Sequence, residues 1–356
     1  MTKNIAKYTI KATIQTPIHI SSWEDYDRMD YFTFEDVLQI VDQKWLEDSS
    51  KKDEKLFEDI LKSIKKWDFK MLEQLKDKYY DNFFDPDKFE IENIDIEKNA
   101  YKSLIQDRQY NQKWVRGNQW IIKKYFADKF TKKAMIPWST LKWLFRSIYF
   151  FDKYWNDYKK YKESGKDIEN DVKNNKYFSN LYFEDVEIIN HKKSIQQIIW
   201  VNAKKGDWEN KWIPLVVETV KEGYFNIDII NFFKDKDHNL DFDYEEFKEY
   251  IKSYSNIIIT REEQILSNIW IKSEFIDELN DLYDNWKYPI KIWMFKKSLA
   301  YKLYWEEILD NFVYKYNSKI WKKVMDIKQS KKLWIWDKSI YLDENENPMW
   351  WIILEF

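Results

Sequence analysis

The sequence predicts an α+β protein built in two similar halves. Three observations carry that prediction. Stretches of period-two alternation bracket amphipathic helical stretches, and the order strand, helix, strands is followed by strands, helix, strands. The chain also has 356 residues, enough for two domains with a sizeable core.

Residues 8–15 alternate, with Tyr8, Ile10, Ala12 and Ile14 on one side and Thr9, Lys11, Thr13 and Gln15 on the other. That is a half-buried strand. It runs into the turn-like Thr16–Trp23, and Asp30–Phe34 forms a short second strand. From Phe34 to about Phe130 the apolar residues recur at three and four, as in Phe57, Ile60, Leu61 and Ile64, with a break at Asp85-Pro86. This is a large, charged, helical insertion whose own core is thin, as in a lid or an arm. Ile136 to Arg146 reads as a strand end, a Pro-X turn, a cap from Ser139 or Thr140 and an amphipathic helix. Leu141, Leu144, Phe145 and Ile148 share its apolar face, and Lys142 and Arg146 share a basic one.

A charged loop at 159–176 follows. Strand character resumes at 181–189, 197–203, 213–220 and 224–230, with a polar loop at 204–212. Residues 243–283 are mainly helical, 288–294 form a strand, and helix continues to about Met325. Two strands close the chain at 339–342 and 350–356. The expected units are 1–203, carrying the helical insertion at about 34–130, and 204–356.

Composition excludes several chemistries. The chain has no cysteine, so disulfides, thiolate metal sites and cysteine nucleophiles are ruled out. His19, His191 and His238 are too few for a common zinc site, and no metal or cofactor is expected. No H-E-x-x-H, G-x-S-x-G or P-loop pattern occurs, and no catalytic residue is assigned. Met1–Tyr8 lacks an apolar signal region and no run of about eighteen apolar residues occurs, so a cytoplasmic protein with no membrane partner is expected. With a net charge of −3, any nucleic-acid binding rests on local patches.

Four glycines stand against twenty tryptophans. A chain of this length ordinarily has about 25 glycines, close to the two counts taken together. Several tryptophans also fall at apparent turns. Trp138 follows Pro137 where a turn favours glycine, and Trp143 would wedge a ring between its helix and the neighbouring element. One reading is that many are UGA codons that the organism decodes as glycine. The other is a tryptophan-rich binding surface.

Candidate binding residues are basic. Between Lys291 and Lys332 there are eleven lysines and four acids, interleaved with Tyr301, Tyr304, Tyr314 and Tyr316. Such a face can hold phosphates and stack bases, or be a solvated helix face. The acidic run Glu24-Asp25-Tyr26-Asp27 with Asp30 could bind a metal or cleave RNA. His19, beside a turn, is open to a ligand-contact or a structural role.

With glycine at 138 and 143, residues 136–146 read I-P-G-S-T-L-K-G-L-F-R, which resembles the I-P-G-S-S-L-K-G-x-x-R signature of the RAMP proteins of type III CRISPR effector complexes. Thr16–Tyr31, Ile213–Gly223, Tyr288–Ser298 and Pro348–Trp351 resemble stretches of the fifth subunit of the type III-A Csm complex, and on that reading Trp351 is a true tryptophan. The insertion resembles nothing named.

The resemblance implies two ferredoxin-like, RRM-related RAMP units. It also implies a non-catalytic, CRISPR-RNA-binding subunit that caps the 3′ end of the guide and supports its maturation. Its partners would be CRISPR RNA, the other Csm subunits and host nucleases. The expected RNA-binding residues are His19, Ser21, Ser22, Trp23, Pro137, Trp138, Ser139, Lys142, Trp143 and Arg146, with Lys296, Lys297 and Ser298 as a second set. A RAMP-type endoribonuclease using Asp27 or Asp30 is the alternative.

Overall fold

The computed structural model describes residues 4–66, 68–105, 121–155, 178, 180–202, 215–233, 242–268, 274–292, 339–343, 345 and 347–356. The first strand, β1 (Asn4–Ile14), buries Ile10, Ala12 and Ile14 and leaves Thr9, Lys11 and Thr13 on its other face, as the alternation predicts. It lies between β11 (Leu215–Phe233) and β14 (Trp351–Glu355), antiparallel to both. On the far side of β11 lies β10 (Ile189–Asn202), also antiparallel. Helix α5 (Trp138–Trp155) connects β1 towards β10, and helix α6 (Tyr244–Asn268) connects β11 towards β14.

Taken in chain order, β1, α5, β10, β11, α6 and β14 make one βαββαβ unit with the sheet order β14-β1-β11-β10. Its strands come from both sides of position 203. A second ferredoxin-like unit is not seen among the described residues, because β1 pairs with C-terminal strands instead of closing a sheet of its own. The edge is extended by β12 (Tyr288–Lys291), which pairs with β14, and α7 (Glu274–Asp284) packs beside it. The apolar face of α5 is the expected one: Leu141, Leu144, Phe145 and Ile148 are buried against Ile10, Phe225 and Ile227. Phe145 meets Phe247 of α6 at 5.4 Å between ring centroids.

The stretch expected as an all-helical insertion holds strands as well. β3 (Tyr31–Thr33), β4 (Val37–Val41) and β5 (Ile91–Ile96) form an antiparallel ribbon, and β5 continues the sheet by pairing parallel to β10. β6 (Ile122–Tyr125) pairs parallel to the first residues of β11 and antiparallel to β2 (Ser21–Tyr26). Short apolar runs such as Val37–Val41 fit a helical or a strand period equally, and tertiary pairing decides. The sheet β2-β6-β11-β10-β5-β4-β3 curls around one cluster to which every strand contributes: Tyr26, Ile122, Val216, Ile195, Ile94, Leu38 and Tyr31.

Three helices remain as an arm: α1 (Lys44–Lys52), α2 (Glu54–Lys66) and α3 (Phe69–Phe83). Their core is fuller than expected, with Trp45, Leu56, Ile60, Leu72 and Tyr79 buried together against Phe32 and Val41. The arm is tied down by charge. Lys76 is fully buried and donates to the carbonyls of Arg28 at 2.8 Å and Tyr31 at 2.5 Å, while Arg28 Nε pairs with Glu73 at 2.8 Å. Burial pulls the Lys76 pKa down to about 8 despite the Glu73 charge.

The nineteen-residue β11 replaces two expected strands. The break expected between 220 and 224 is absent: the strand runs through Lys221-Glu222-Gly223, with Gly223 at φ +139°. A Cβ there would meet Ile188 Cγ2 at 2.6 Å and the Ile189 carbonyl at 3.0 Å. Gly223→Ala is expected to lower folding stability by about 2 kcal/mol, read as a lower urea midpoint; an unchanged midpoint would show that the backbone is not constrained there.

Candidate nucleic-acid interface

Two expected turns, far apart in sequence, converge. The Phe126 N–H donates to the Ile20 carbonyl at 2.7 Å, and the Met135 N–H donates to the Phe126 carbonyl at 3.0 Å. Ile20, which leads into β2, and Met135, which leads into α5, therefore lie about two strand spacings, or about 10 Å, apart. β7 (Met135–Ile136) then pairs with β9 (Val186–Glu187), placing Asp185 beside the helix start.

The stretch expected as the first turn is instead the bulged start of β2, where the Ser21 and Ser22 hydroxyls accept from the N–H groups of Trp23 at 3.2 Å and Glu24 at 3.1 Å. Trp23 has φ 66° and is 95% exposed. The second turn departs from expectation. The helix begins at Trp138, and the Pro137 carbonyl already accepts from Thr140 at 2.9 Å. Ser139 and Thr140 are thus inside the first turn of the helix and are not its cap. The Trp138 N–H is capped instead by the Asp185 carboxylate at 2.7 Å. Trp138 is helical and needs no glycine there. Trp143 is 51% exposed, so it is not sandwiched between its helix and the neighbouring element.

Lys142 and Arg146 do share a face. Lys142 Nζ donates to the Leu181 carbonyl at 3.1 Å, and both side chains are half-buried. Burial, then the neighbouring Arg146 charge, lowers the Lys142 pKa. Lys296, Lys297 and Ser298 lie outside the described residues, as do the tyrosines at 301–316 and His238. Lys291, the first lysine of that basic run, is buried and paired with Glu262, so it is not on a solvated face.

His19 is 1% exposed, its Nδ1 donating to the Glu218 carbonyl at 2.5 Å and its ring set edge-on to Tyr125. This is core geometry. Burial, against the help of the Glu218 bond, lowers its pKa to about 4. Asp27 and Asp30 are occupied in their own turn. Asp27 Oδ1 accepts from the Met29 N–H at 2.7 Å, and Asp30 accepts from the Asp27 N–H at 2.8 Å and from Gln43 at 2.7 Å. Among the described residues no group of three or more His, Asp or Glu could hold a metal ion, and no helix is long and apolar enough to cross a membrane.

Sequence reasoning missed the polar mouth of the curled sheet. A groove of 1160 Å³ opens there, with Glu24, Tyr26, Lys124, Glu92, Lys193 and Glu218 among its lining. Lys193 bridges Glu92 at 2.7 Å and the buried Glu218 at 2.9 Å. Burial opposes the Lys193 cation, but the two carboxylates outweigh it and raise its pKa. Lys124 Nζ sits 4.4 Å from the Tyr26 ring centroid. Residues alternating through β11 at 216, 218 and 220 were the available signal, with one acid among valines.

Comparison with solved structures identifies the architecture. The crystal structure of T. onnurineus Csm5 superposes with a TM-score of 0.59 and 12% identity, covering 96% of this chain and 99% of that one. The chain has a Csm5-like fold. A chain of the cryo-EM structure of a Csm–crRNA–target RNA ternary complex from a type III-A CRISPR–Cas system matches with a TM-score of 0.57 and 12% identity, covering 98% of this chain and 100% of that one. No protein-family model matches the sequence, and no curated protein does.

The site carries a pH prediction. The His19 pKa is depressed in the fold to about 4 from 6.5, so the neutral form is favoured there, and stability is lost as pH falls below 6.5. Between about pH 7 and about pH 4.5 this one group removes on the order of 2–3 kcal/mol. Urea unfolding of His19→Gln should show a correspondingly smaller acid-side loss than the parent chain; equal losses would mean that His19 titrates normally.

Proposed function

We propose that this chain is a CRISPR-RNA-binding subunit of a type III-A Csm complex that caps the 3′ end of the guide and supports its maturation. The observation that carries the reading is the Csm5-like fold over the full length of both chains. Its partners are CRISPR RNA, the other Csm subunits and host nucleases. Ser21, Ser22 and position 23 with Pro137, Trp138 and Ser139 form the strip that faces RNA, and Lys142 and Arg146 supply its charge. His19 supports the strip from inside and is not a contact. The reading is non-catalytic, and the Asp27–Asp30 turn bonds are consistent with it.

Lys142→Ala with Arg146→Ala is expected to weaken binding of guide RNA and to reduce the log–log salt slope by about two. A filter-binding titration at several salt concentrations measures both. Unchanged affinity and slope would remove these residues from the site. Metal-dependent RNA cleavage by the purified chain, lost on Asp30→Ala, would replace the binding reading with the endoribonuclease.

A further inference from the structure

Among the described residues five besides glycine have positive φ: Trp23 (66°), Lys132 (58°), Asn190 (53°), Trp286 (62°) and Trp350 (76°). Asparagine visits this region routinely; a tryptophan there sets its Cβ against a carbonyl, at about 1–2 kcal/mol per residue. Tryptophan fills three of the five positions while making up 20 of the 356 residues.

Two of the three tryptophan positions, 286 and 23, have a role that glycine normally fills. Trp286 follows α7, where the Lys287 N–H donates to the Leu282 carbonyl at 3.0 Å and the Trp286 N–H to the Tyr283 carbonyl at 3.1 Å. Those two bonds define a Schellman motif whose left-handed residue, position 286, is most often glycine. The ring is 74% exposed and its cation contact, Lys252 Nζ at 5.6 Å from the centroid, is a solvent-side one of small worth. Trp23 sits where the pairing of β2 with β6 slips between Ser21 and Asp25, and left-handed bulge residues are typically glycine. Trp350 turns the chain into β14, its N–H donating to the Pro17 carbonyl at 3.1 Å and its carbonyl accepting from Ile292 at 2.9 Å.

Trp350 is itself buried, its ring 4.7 Å from that of Tyr341, so its place in this group rests on its backbone and not on exposure. Two other tryptophans are buried without a left-handed backbone. Trp45 is fully buried, donates from Nε1 to the Met29 carbonyl at 2.8 Å and packs on Phe32 and Tyr79. Trp351 is buried in the extended backbone of β14.

We propose that the native polypeptide carries glycine at 23, 286 and 350 and tryptophan at 45 and 351, as follows if the host reads UGA as glycine and UGG as tryptophan. At position 23 this also bares the backbone of the RNA-facing strip, a consequence that rests on the proposed function. Peptide mass mapping of the protein isolated from its own host tests the assignment without reference to RNA. Glycine masses at 23, 286 and 350 with tryptophan masses at 45 and 351 are expected. A tryptophan mass at any of the first three, or a glycine mass at 45 or 351, overturns the sorting. In the recombinant chain Trp286→Gly should raise the urea midpoint and Trp45→Gly lower it; a midpoint lowered by Trp286→Gly overturns the backbone argument.

Discussion

Everything else in this structure hangs on β11, which must run through both halves of one continuous sheet. Its first residues pair with β6 and β10, and its last with β1 and β8 (Leu181–Phe183). One strand can do this only if its backbone changes direction without breaking, and Gly223 sits at the change, with φ +139° and no room for a side chain. Upstream of it the sheet curls around Val216 and leads to the charged groove. Downstream it flattens into the βαββαβ unit whose other face carries α5, α6 and α7.

That double duty explains why charges are buried along β11. Glu218 lies where the curled sheet, the extended segment 17–20 and the groove meet, and it serves all three. Its carboxylate accepts from the Tyr125 N–H and pairs with Lys193, while its carbonyl takes the His19 bond. An unpaired carboxylate at this depth would cost several kcal/mol, so the partners are obligatory. The same logic holds in the arm, where Lys76 is satisfied by two carbonyls and Glu73, and in the last sheet edge, where Lys291 is satisfied by Glu262. Hydrophobic burial sets where the layers lie; these pairs fix how they register.

Periodicity made β1, the apolar face of α5 and the closing strands legible, because each has one wet and one dry side. It failed where a strand is buried on both faces or pairs far away. The parallel contacts of β5 with β10 and of β6 with β11 join residues about a hundred apart, and nothing local announces them. Lysine and glutamate types signal exposure, so Lys76, Lys193 and Glu218 stayed hidden until their partners were in place. The candidate strip was half legible. The Lys142–Arg146 face followed from spacing, whereas the strand at Ser21–Tyr26, expected as a turn, and the capping carboxylate of Asp185, 47 residues from Trp138, did not.

Asp185 changes what the helix start can do. A free helix N-terminus attracts phosphate through its unpaired N–H groups and its dipole. Here a carboxylate already occupies the Trp138 N–H, satisfying the donor and placing a negative charge where an RNA phosphate would otherwise sit. On the proposed function, attraction to RNA at this end therefore falls to the cations of Lys142 and Arg146, one turn apart along the helix. Both are half-buried, and burial lowers the pKa of each. A phosphate beside them would offset that penalty, because a partner anion favours the charged forms that burial disfavours. The pair is thus better suited to an anion held in a fixed place than to a diffuse surface encounter.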